Sequence, residues 1–321
     1  MAGPKPEQKT VLITGNLSCT PGGIGHALCV EYHHRGLYVI ATARRPEVLA
    51  GLAEMGITAL QLDVTDQDSI EACEKEVAAI TGGKLDILVN NAQKHPNAMA
   101  WLYNGLAQIM PATDIALPNV RRLFETNVLG LMATVQAFAG QLVAARGLIV
   151  NFASLAAVLP YVFGSAFSAS KGAVVSYSRT LRQELAPFGV RVTVVMAGTV
   201  RTTIDDGRRS QTLPPGSIYS GPARDLFEWR LGYSQGSSAM DARVFARRLV
   251  QDTLKPEYNV VLRGLLGWGR PDWFWYGGNT LLVRAGLWFG EWLGDIITRY
   301  SFRMNELETR LKEGERQRKL N

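Results

Sequence analysis

The chain has few cysteines and no pattern of residues that would bind a metal. Its three cysteines, Cys19, Cys29 and Cys73, have no paired spacing, and no cluster of histidine and cysteine stands near them. The sequence therefore predicts neither a disulfide framework nor a structural zinc, and it favours a reduced intracellular compartment. The amino-terminal stretch MAGPKPEQKT also lacks the apolar segment of a signal peptide.

The chain also lacks a strong excess of charge. Lys and Arg total 34, and Asp and Glu total 28, which gives a net charge of +6. No basic cluster interleaved with aromatic residues occurs before the carboxyl terminus, so the sequence does not predict nucleic-acid binding. The 321 residues, of which 47% are hydrophobic, suffice for one large α/β domain with an appendage or for two domains.

Short apolar runs rich in β-branched residues alternate with amphipathic helical stretches along most of the chain. Nearly continuous apolarity is typical of strands that are buried on both faces, as in a parallel sheet covered by helices. The alternation predicts a doubly wound, Rossmann-type α/β fold of about seven strands, with ligands at the carboxyl edge of the sheet. The predicted strands are 10–14, 37–43, 57–64, 85–92, 147–154, 190–198 and 258–264.

Two segments depart from this alternation. Residues 201–237 combine Gly, Pro and Ser with aromatic residues after the sixth predicted strand, which favours a lid over a ligand. Composition then shifts to a Trp-rich extension from about residue 256. The predicted organisation is a Rossmann-type domain with its lid over 1–255, followed by the last strand and the extension over 256–321.

The extension contains an amphipathic stretch, 281–297, in which Arg284, Glu291 and Asp295 form a narrow polar stripe on a helix. Three charges argue against a membrane span, which needs ~20 predominantly apolar residues. Two alternatives stay open. The helix either makes peripheral contact with an internal membrane, where Trp is common, or packs on the chain's own lid or on a second subunit of a homo-oligomer. Either alternative favours a lipophilic small-molecule substrate.

A glycine-rich turn between the first predicted strand and helix predicts a dinucleotide site. Gly15, Gly23 and Gly25 in TVLITGNLSCTPGGIG let the backbone approach a pyrophosphate, and the next helix offers its free N–H groups. The second predicted strand ends at Arg44 and Arg45, and guanidinium groups there favour the 2′-phosphate of NADP(H) over the ribose hydroxyls of NAD(H). The alternative is a structural glycine turn with two solvated arginines.

Several short motifs together resemble the short-chain dehydrogenase/reductase family. The resemblance covers about residues 8–265, and ATARRPE, GGIGHAL and the long extension are most similar to a fungal branch with 1-acyldihydroxyacetone-phosphate reductase and secondary-metabolite tailoring enzymes. The matching residues are Thr14-Gly15, Gly23-Ile24-Gly25, Asp63-Val64, Asn90-Asn91-Ala92, Asn127, Ser154, Lys171 and Gly198-Thr199-Val200-Arg201-Thr202.

The resemblance implies a role for each matching side chain. Asp63 would hold the adenine, Asn91 the adenosine ribose and Lys171 the nicotinamide ribose. Ser154 would orient a substrate oxygen, and Asn127 would anchor the water of a proton relay. The other cofactor contacts that it implies are Ile13, Gly15, Gly23, Ile24, Gly25, Arg44, Val64, Val200 and Thr202, the last at the nicotinamide end.

The sequence departs from the family pattern around the cofactor. Seven residues separate Gly15 from Gly23, where the family has a shorter loop. Gln93 replaces the glycine after Asn-Asn-Ala, and Ala197 replaces a proline. Together these departures predict weakened cofactor binding.

The largest departure is Phe167, which stands four residues before Lys171 where the family has its catalytic tyrosine. Hydride reduction of a ketone gives an alkoxide that needs a proton, and a positioned acid contributes ~10²–10⁴-fold to the rate. Phenylalanine cannot supply this proton. An iminium or an enone acceptor would avoid the loss, because neither forms an alkoxide. Tyr161, six residues before Phe167, is an alternative acid.

The sequence therefore predicts an NADP(H)-dependent reductase with a non-standard active site, acting on a lipophilic, natural-product-like substrate of secondary metabolism. One alternative is a cyclase or isomerase on the same scaffold, with the cofactor lost or structural. Another is a scaffold or cofactor-sensing protein without chemistry. The presence of Asn127, Ser154 and Lys171 argues against this last alternative.

Overall fold

The computed structural model describes residues 3–15, 19, 21–92, 109–201, 211–232, 239–258 and 268–320. Within these ranges, seven strands form one parallel sheet in the order β3-β2-β1-β4-β5-β6-β9, and β7 pairs with β8 separately. The strands are β1 (Thr10–Thr14), β2 (Tyr38–Ala43), β3 (Thr58–Gln61), β4 (Ile87–Asn90), β5 (Leu148–Phe152), β6 (Arg191–Ala197), β7 (Val200–Arg201), β8 (Met240–Asp241) and β9 (Trp273–Tyr276).

Helices cover both faces of this sheet, as the sequence predicts. Tyr32 of α1 and Phe245 of α8 belong to the core on one face, and Val77 of α3, Phe138 of α5 and Val174 of α6 belong to the core on the other. The helices are α1 (Ile24–His34), α2 (Ala50–Glu54), α3 (Gln67–Thr81), α4 (Leu117–Phe124), α5 (Gly130–Ala145), α6 (Ser165–Leu185), α7 (Arg224–Gly232), α8 (Ala242–Thr253), α9 (Thr280–Gly286), α10 (Glu291–Ser301) and α11 (Met304–Leu320).

The strands are apolar at successive positions because each face of the sheet meets a separate core. In β1, Val11 and Ile13 pack into the core with α1 and α8, and Leu12 packs into the core with α3, α5 and α6. Successive side chains of a strand point to opposite faces, so a sheet covered on both faces needs apolar residues throughout. The Rossmann-type prediction is confirmed.

The seventh strand of the sheet lies outside its predicted position. Residues 259–264 of the predicted strand 258–264 are outside the described residues. The edge position belongs to β9, which runs parallel to β6 with Val194 opposite Trp273. Phe274 of β9 is buried, with its ring 5.8 Å from that of Phe245. Because aromatic residues are favoured in strands, the run WFWY joins the main sheet instead of opening a separate extension.

One helical stretch in the described part of the chain, Leu117–Ala145, is long and apolar enough to cross a membrane. It consists of α4, a π-helical turn over Glu125–Leu129 and α5. Its residues Phe138 and Leu142 are fully buried in the core against the sheet. The stretch is therefore apolar because it is the core helix of an α/β fold.

The last helix of the extension packs on the predicted lid. The described part of that lid, 211–232, contains α7, and Leu307 of α11 is buried with Ala223 and Leu226 at its start. α11, which follows the predicted amphipathic stretch 281–297, thus packs on the chain's own lid.

The preceding part of the extension has an outward apolar face. Leu281, Trp288 and Trp292 are 83%, 87% and 60% exposed. Peripheral membrane contact and a second subunit both stay predictions for this face.

Candidate active site

The predicted catalytic residues lie at the carboxyl edge of the sheet, where β5 leads into α6. Ser154 follows β5 and begins a short 3-10 turn over Leu155–Ala157, and its Oγ accepts a hydrogen bond from the Ala156 amide over 3.2 Å. Ala156 shares an apolar cluster with Phe167 of α6. The half-buried Ser154 is therefore held next to the helix that carries Phe167 and Lys171.

Lys171 extends from α6 into the interior of the protein. Its side chain is fully buried, and Nζ donates a hydrogen bond to the Phe152 carbonyl oxygen over 3.0 Å. Burial lowers the pKa of Lys171 to about 7, because the ammonium loses its hydration. This lysine can therefore change its charge near neutral pH.

Phe167 lies one helical turn before Lys171 and faces the same way, as their spacing requires. Its ring is buried with Leu123 and Ala156, and the Lys171 Nζ lies 5.7 Å from the ring centroid. The next aromatic ring belongs to Tyr161, whose centroid is 6.3 Å from that of Phe167. The structure thus places an apolar ring near the ammonium and the Tyr161 ring next to Phe167.

Asn127 is connected to the Phe167 backbone through a serine that sequence reasoning missed. It lies in the π-helical turn between α4 and α5, and such turns are frequent at functional sites. Its Nδ2 donates to Ser170 Oγ over 3.2 Å, and Ser170 Oγ donates to the Phe167 carbonyl oxygen over 2.8 Å. Ser170 gives no signal in the sequence beyond its place beside Lys171.

The glycine loop places a cysteine directly against Gly15. A Cβ atom at Gly15 would lie 2.0 Å from Cys19 Sγ and 2.9 Å from the Thr42 carbonyl oxygen, so that only glycine fits there. Cys19 itself is fully buried. The other inserted residues 16–18 and 20 lie outside the described residues. The insertion therefore turns at least one side chain inward, against the start of the predicted cradle.

The helix after the loop begins where the sequence predicts. α1 starts at Ile24 after Gly23, and Gly25 is buried in its first turn. In the described part of the chain, no side chain caps this helix. Its first N–H groups can therefore bind an anion such as a pyrophosphate, which agrees with the predicted role of the loop.

The residues predicted for the adenosine end lie together. Arg44, Asp63, Val64 and Ala92 line one small cavity with Gly15. The Asp63 carboxylate accepts hydrogen bonds from the Thr65 amide and hydroxyl over 3.0 and 2.8 Å, which fixes its orientation. The predicted adenine and 2′-phosphate contacts thus line the same cavity.

The remaining predicted cofactor contacts are positioned by the strands or lie outside the described residues. Asn91 is held at the end of β1, where its Nδ2 donates to the Thr14 carbonyl oxygen over 3.1 Å. Ile13 is fully buried in β1, and Val200 lies in β7 opposite Met240. Thr202, at the predicted nicotinamide end, and Gln93 both lie outside the described residues.

The loop after β6 makes a close backbone contact that the sequence did not suggest. A Cβ atom at Gly198 would lie 2.2 Å from the Gly278 carbonyl oxygen. Thr199 and Gly278 also exchange hydrogen bonds between their amides and carbonyls, both over 3.1 Å. The glycine after Ala197 is therefore needed to bring the ends of β6 and β9 together.

The parallel sheet with helices on both faces defines a Rossmann-type α/β protein. The family model described as short chain dehydrogenase matches residues 9–213, and the chain belongs to this family. It is 38% identical over 276 residues to the short-chain dehydrogenase srdE of Neurospora crassa, covering 86% of this chain and 85% of that one. It is 42% identical over 216 residues to the NADPH-dependent 1-acyldihydroxyacetone phosphate reductase of Schizosaccharomyces pombe, covering 66% and 68%.

Two solved structures resemble the chain. A short-chain dehydrogenase from Streptomyces avermitilis has a TM-score of 0.70 at 25% identity and covers 94% of this chain and 98% of its own. A variant of ElxO with tyrosine changed to phenylalanine, with NADPH bound, has a TM-score of 0.52 at 25% identity and covers 61% and 75%. The family resemblance stated from the motifs is confirmed.

Proposed function

We propose that the protein is an NADPH-dependent reductase whose lipophilic substrate accepts hydride at an iminium or enone carbon. The observation that carries this proposal is the buried Phe167 ring, 5.7 Å from the Lys171 ammonium. Asn127, Ser154 and Lys171 are all held beside the same helix, and position 167 offers them no hydroxyl. A hydride acceptor that leaves no alkoxide suits this arrangement.

The energetic argument concerns the proton that a ketone would require. A positioned general acid contributes ~10²–10⁴-fold, or about 3–5 kcal/mol of barrier, to carbonyl reduction. Reduction of an iminium gives a neutral amine and needs no proton in the same step. Reduction of an enone gives an enolate, a weaker base that a hydrogen bond from Ser154 can stabilise. Both acceptors therefore avoid most of the loss in reduction rate that the missing acid at Phe167 would cause.

Two features support NADPH as the hydride donor. Arg44 lines the cavity that also contains Asp63, and a guanidinium pairs with a 2′-phosphate in bidentate geometry. The Schizosaccharomyces pombe relative is itself NADPH-dependent, and the ElxO variant binds NADPH with a phenylalanine substituted for a tyrosine. When bound, NADPH would supply the hydride. Lys171 would hold its nicotinamide ribose, Asp63 its adenine and Asn91 the adenosine ribose.

Aromatic side chains around the site support a lipophilic substrate. Tyr161 lies beside Phe167, and Phe302 from the extension contacts Tyr161 edge to face with ring centroids 6.0 Å apart. The fungal relatives named as short-chain dehydrogenases are consistent with a role in secondary metabolism. Aromatic walls bind extended apolar molecules through burial of their surface.

One observation favours a second candidate function, a cyclase or isomerase that has lost its cofactor. Cys19 fills the space beside Gly15, at the start of the predicted pyrophosphate cradle. If the inserted loop keeps the pyrophosphate out, the polar groups at Ser154 and Lys171 would act on substrate alone. Catalysis would then come from shape and orientation.

Titration with NADPH separates the two candidates. The chain has seven tryptophans, and their fluorescence reports cofactor binding directly. We expect saturable binding of NADPH, and we expect its oxidation with N-methyl-3,4-dihydroisoquinolinium, a lipophilic iminium probe. Absence of both binding and oxidation would overturn the reductase proposal and favour the cofactor-free candidate.

A further inference from the structure

Tyr161 is the aromatic residue that brings a hydroxyl next to Phe167. Its ring centroid lies 6.3 Å from that of Phe167, and the two rings are inclined by 56°. A Cβ atom at Gly164 would lie 2.2 Å from Tyr161 Cδ1, so the ring lies directly over the residue that precedes α6. Tyr161 is half-buried, so part of its side chain is accessible to a substrate.

The turn that carries Tyr161 is held in one conformation. Phe163 has φ of +61°, in the left-handed region that bulky residues rarely adopt. Its buried ring packs edge to face on Tyr219 at 5.1 Å and against Phe227 at 5.9 Å, and its carbonyl oxygen accepts from the Met110 amide over 2.7 Å. A residue keeps this backbone conformation only where its surroundings impose it. Residues in such strained conformations cluster at functional sites.

A buried cation covers the other side of the Tyr161 ring. Arg230, from α7 of the lid, is 1% exposed, and its guanidinium carbon lies 4.4 Å from the centroid of Tyr161. The same carbon lies 4.8 Å from the centroid of Phe302, which connects α10 to α11. Arg230 Nε also donates to the Val162 carbonyl oxygen over 3.0 Å. The guanidinium is thus fixed between the rings of Tyr161 and Phe302.

We infer that Arg230 and Phe302 position Tyr161 as the hydrogen-bond donor to the substrate oxygen on which negative charge develops. This inference rests on the proposed reductase function and names how its substrate is bound. A cation over an aromatic ring is attracted to it, and burial strengthens this attraction because little water screens it. Arg230 therefore holds the Tyr161 ring in one orientation.

The proton and electron changes balance for an enone. When bound, NADPH would supply the hydride to the β-carbon, and the electron pair of the C=C bond would shift towards the carbonyl oxygen. The Tyr161 proton would pass to that oxygen. The phenolate then takes a proton from solvent, and the enol tautomerises to the saturated ketone. An iminium substrate needs no such proton, so Tyr161 matters for oxygen-containing acceptors only.

The inference also makes the lid and the extension parts of one site. Tyr161 follows β5, Arg230 comes from the lid, and Phe302 comes from the extension. Selection of a substrate with an acceptor oxygen at this position would therefore depend on residues from three distant parts of the chain.

The first experiment compares Tyr161→Phe with the unaltered protein on two probes. Chalcone, a lipophilic enone, should be reduced about 10²-fold more slowly by the variant, in the lower range for a general acid. N-methyl-3,4-dihydroisoquinolinium should be reduced at the same rate by both proteins. A general loss of structure or of cofactor binding would slow both probes together.

A second experiment needs no turnover. The carbonyl stretch of chalcone bound without cofactor shifts to lower frequency when its oxygen accepts a hydrogen bond. We expect a larger shift with the unaltered protein than with Tyr161→Phe, in which Ser154 would be the remaining donor. Gly164→Ala, which would displace the ring and keep the phenol, should also reduce the shift.

Variants of Arg230 and Phe302 test the positioning role. Arg230→Lys keeps a cation and should retain more of the kcat for chalcone than Arg230→Met, with KM similar in the two variants. Phe302→Leu keeps an apolar contact and should lower kcat for chalcone without affecting the iminium probe. A purely structural role would lower both activities in parallel with thermal stability.

The results separate failure of this inference from failure of the proposed function. The reductase proposal stands if the unaltered protein oxidises NADPH with either probe. The inference is wrong if Tyr161→Phe then matches the unaltered protein in both the rate of chalcone reduction and the carbonyl shift. If no NADPH is bound or oxidised, the reductase proposal fails. The carbonyl shift would then still decide whether Tyr161 contacts the substrate oxygen.

Discussion

The Lys171 ammonium lies 5.7 Å from the centroid of the Phe167 ring, and its hydrogen bond goes to the Phe152 carbonyl oxygen over 3.0 Å. The two side chains lie on the same face of α6, one turn apart. This pairing puts a buried cation beneath an apolar ring, so the cation cannot act through a hydroxyl at position 167. The proposed iminium or enone acceptor rests on this pairing, because neither needs a proton from position 167.

A hydroxyl added to Phe167 should not improve the enzyme. Phe167→Tyr puts a polar group among Leu123, Ala156 and Tyr161, which costs on the order of 1–3 kcal/mol if the group is unpaired. We expect a lower melting temperature and unchanged or slower turnover of the iminium probe. Phe188→Tyr, at a 56% exposed ring, is the matched control and should leave both quantities unchanged. A gain approaching 10²-fold in the turnover of chalcone, whose oxygen takes a proton, would instead indicate an impaired carbonyl reductase.

The buried Lys171 should make stability depend on pH. Burial lowers its pKa to about 7 from the ordinary 10.5, so between these values the unfolded chain holds a proton that the folded chain has lost. Unfolding takes up that proton, and the free energy of unfolding should therefore rise by about 1.4 kcal/mol per pH unit from pH 7 towards pH 10. Below pH 7 the cost of the buried charge is complete and this contribution is flat.

Lys171→Met should remove this slope, and chemical denaturation at several pH values measures it. The difference between the two proteins isolates Lys171 from other titrating groups. Parallel curves for the two proteins would mean that Lys171 keeps its ordinary proton affinity in the fold. In the proposed reductase, the same variant should weaken NADPH binding and turnover together.

Arg44 should determine the preference between NADPH and NADH. Arg44 lines the cavity with Asp63, and a guanidinium hydrogen-bonded to a phosphate contributes about 1.5–3 kcal/mol. Arg44→Ala should therefore lower the affinity for NADPH roughly 10-fold or more and leave that for NADH unchanged. Arg45→Ala is the neighbouring control, since Arg45 does not line this cavity. An unchanged ratio of the two affinities in Arg44→Ala would refute the assignment.

Peripheral membrane contact, where it occurs, should depend on the exposed face of the extension. If the hypothesis is right, the unaltered protein floats with liposomes. The double variant Trp288→Ser/Trp292→Ser should stay in solution, because exposed Trp side chains contribute to binding at the lipid interface. Val244→Ser, at a 46% exposed residue of α8, is the control and should float like the unaltered protein. If neither protein floats, the face has another role.

The first six strands of the main sheet could be predicted because most are nearly continuous apolar runs that need two covered faces. β9 could not be predicted in the same way. Its partner β6 lies more than seventy residues earlier, and the run WFWY looks like the start of an aromatic surface segment until Phe274 is seen against Phe245. Pairing between distant segments is set by tertiary packing, which local propensity does not report.

The candidate site was predictable to the extent that it follows a motif. Phe167 and Lys171 are neighbours on one helix, so their spacing alone brings them together. Ser170 and Arg230 could not be found in this way, because a serine in a helix and an arginine in a lid usually face solvent. Their roles depend on Asn127 and on the Tyr161 ring, which approach them only in the folded protein.

The position of β9 sets an order of events during synthesis. Residues 273–276 complete the sheet next to β6, so a nascent chain that ends before them exposes the unpaired edge of β6, with Val194 and Met196 at its centre. Such an edge is a template for pairing between chains. The ribosome must therefore release residues 273–276 before this edge is protected, and chaperones that bind extended apolar segments would act on the protein until then. Messages cut short upstream of codon 273 should yield insoluble product, whereas those cut after α10 should still yield a closed sheet.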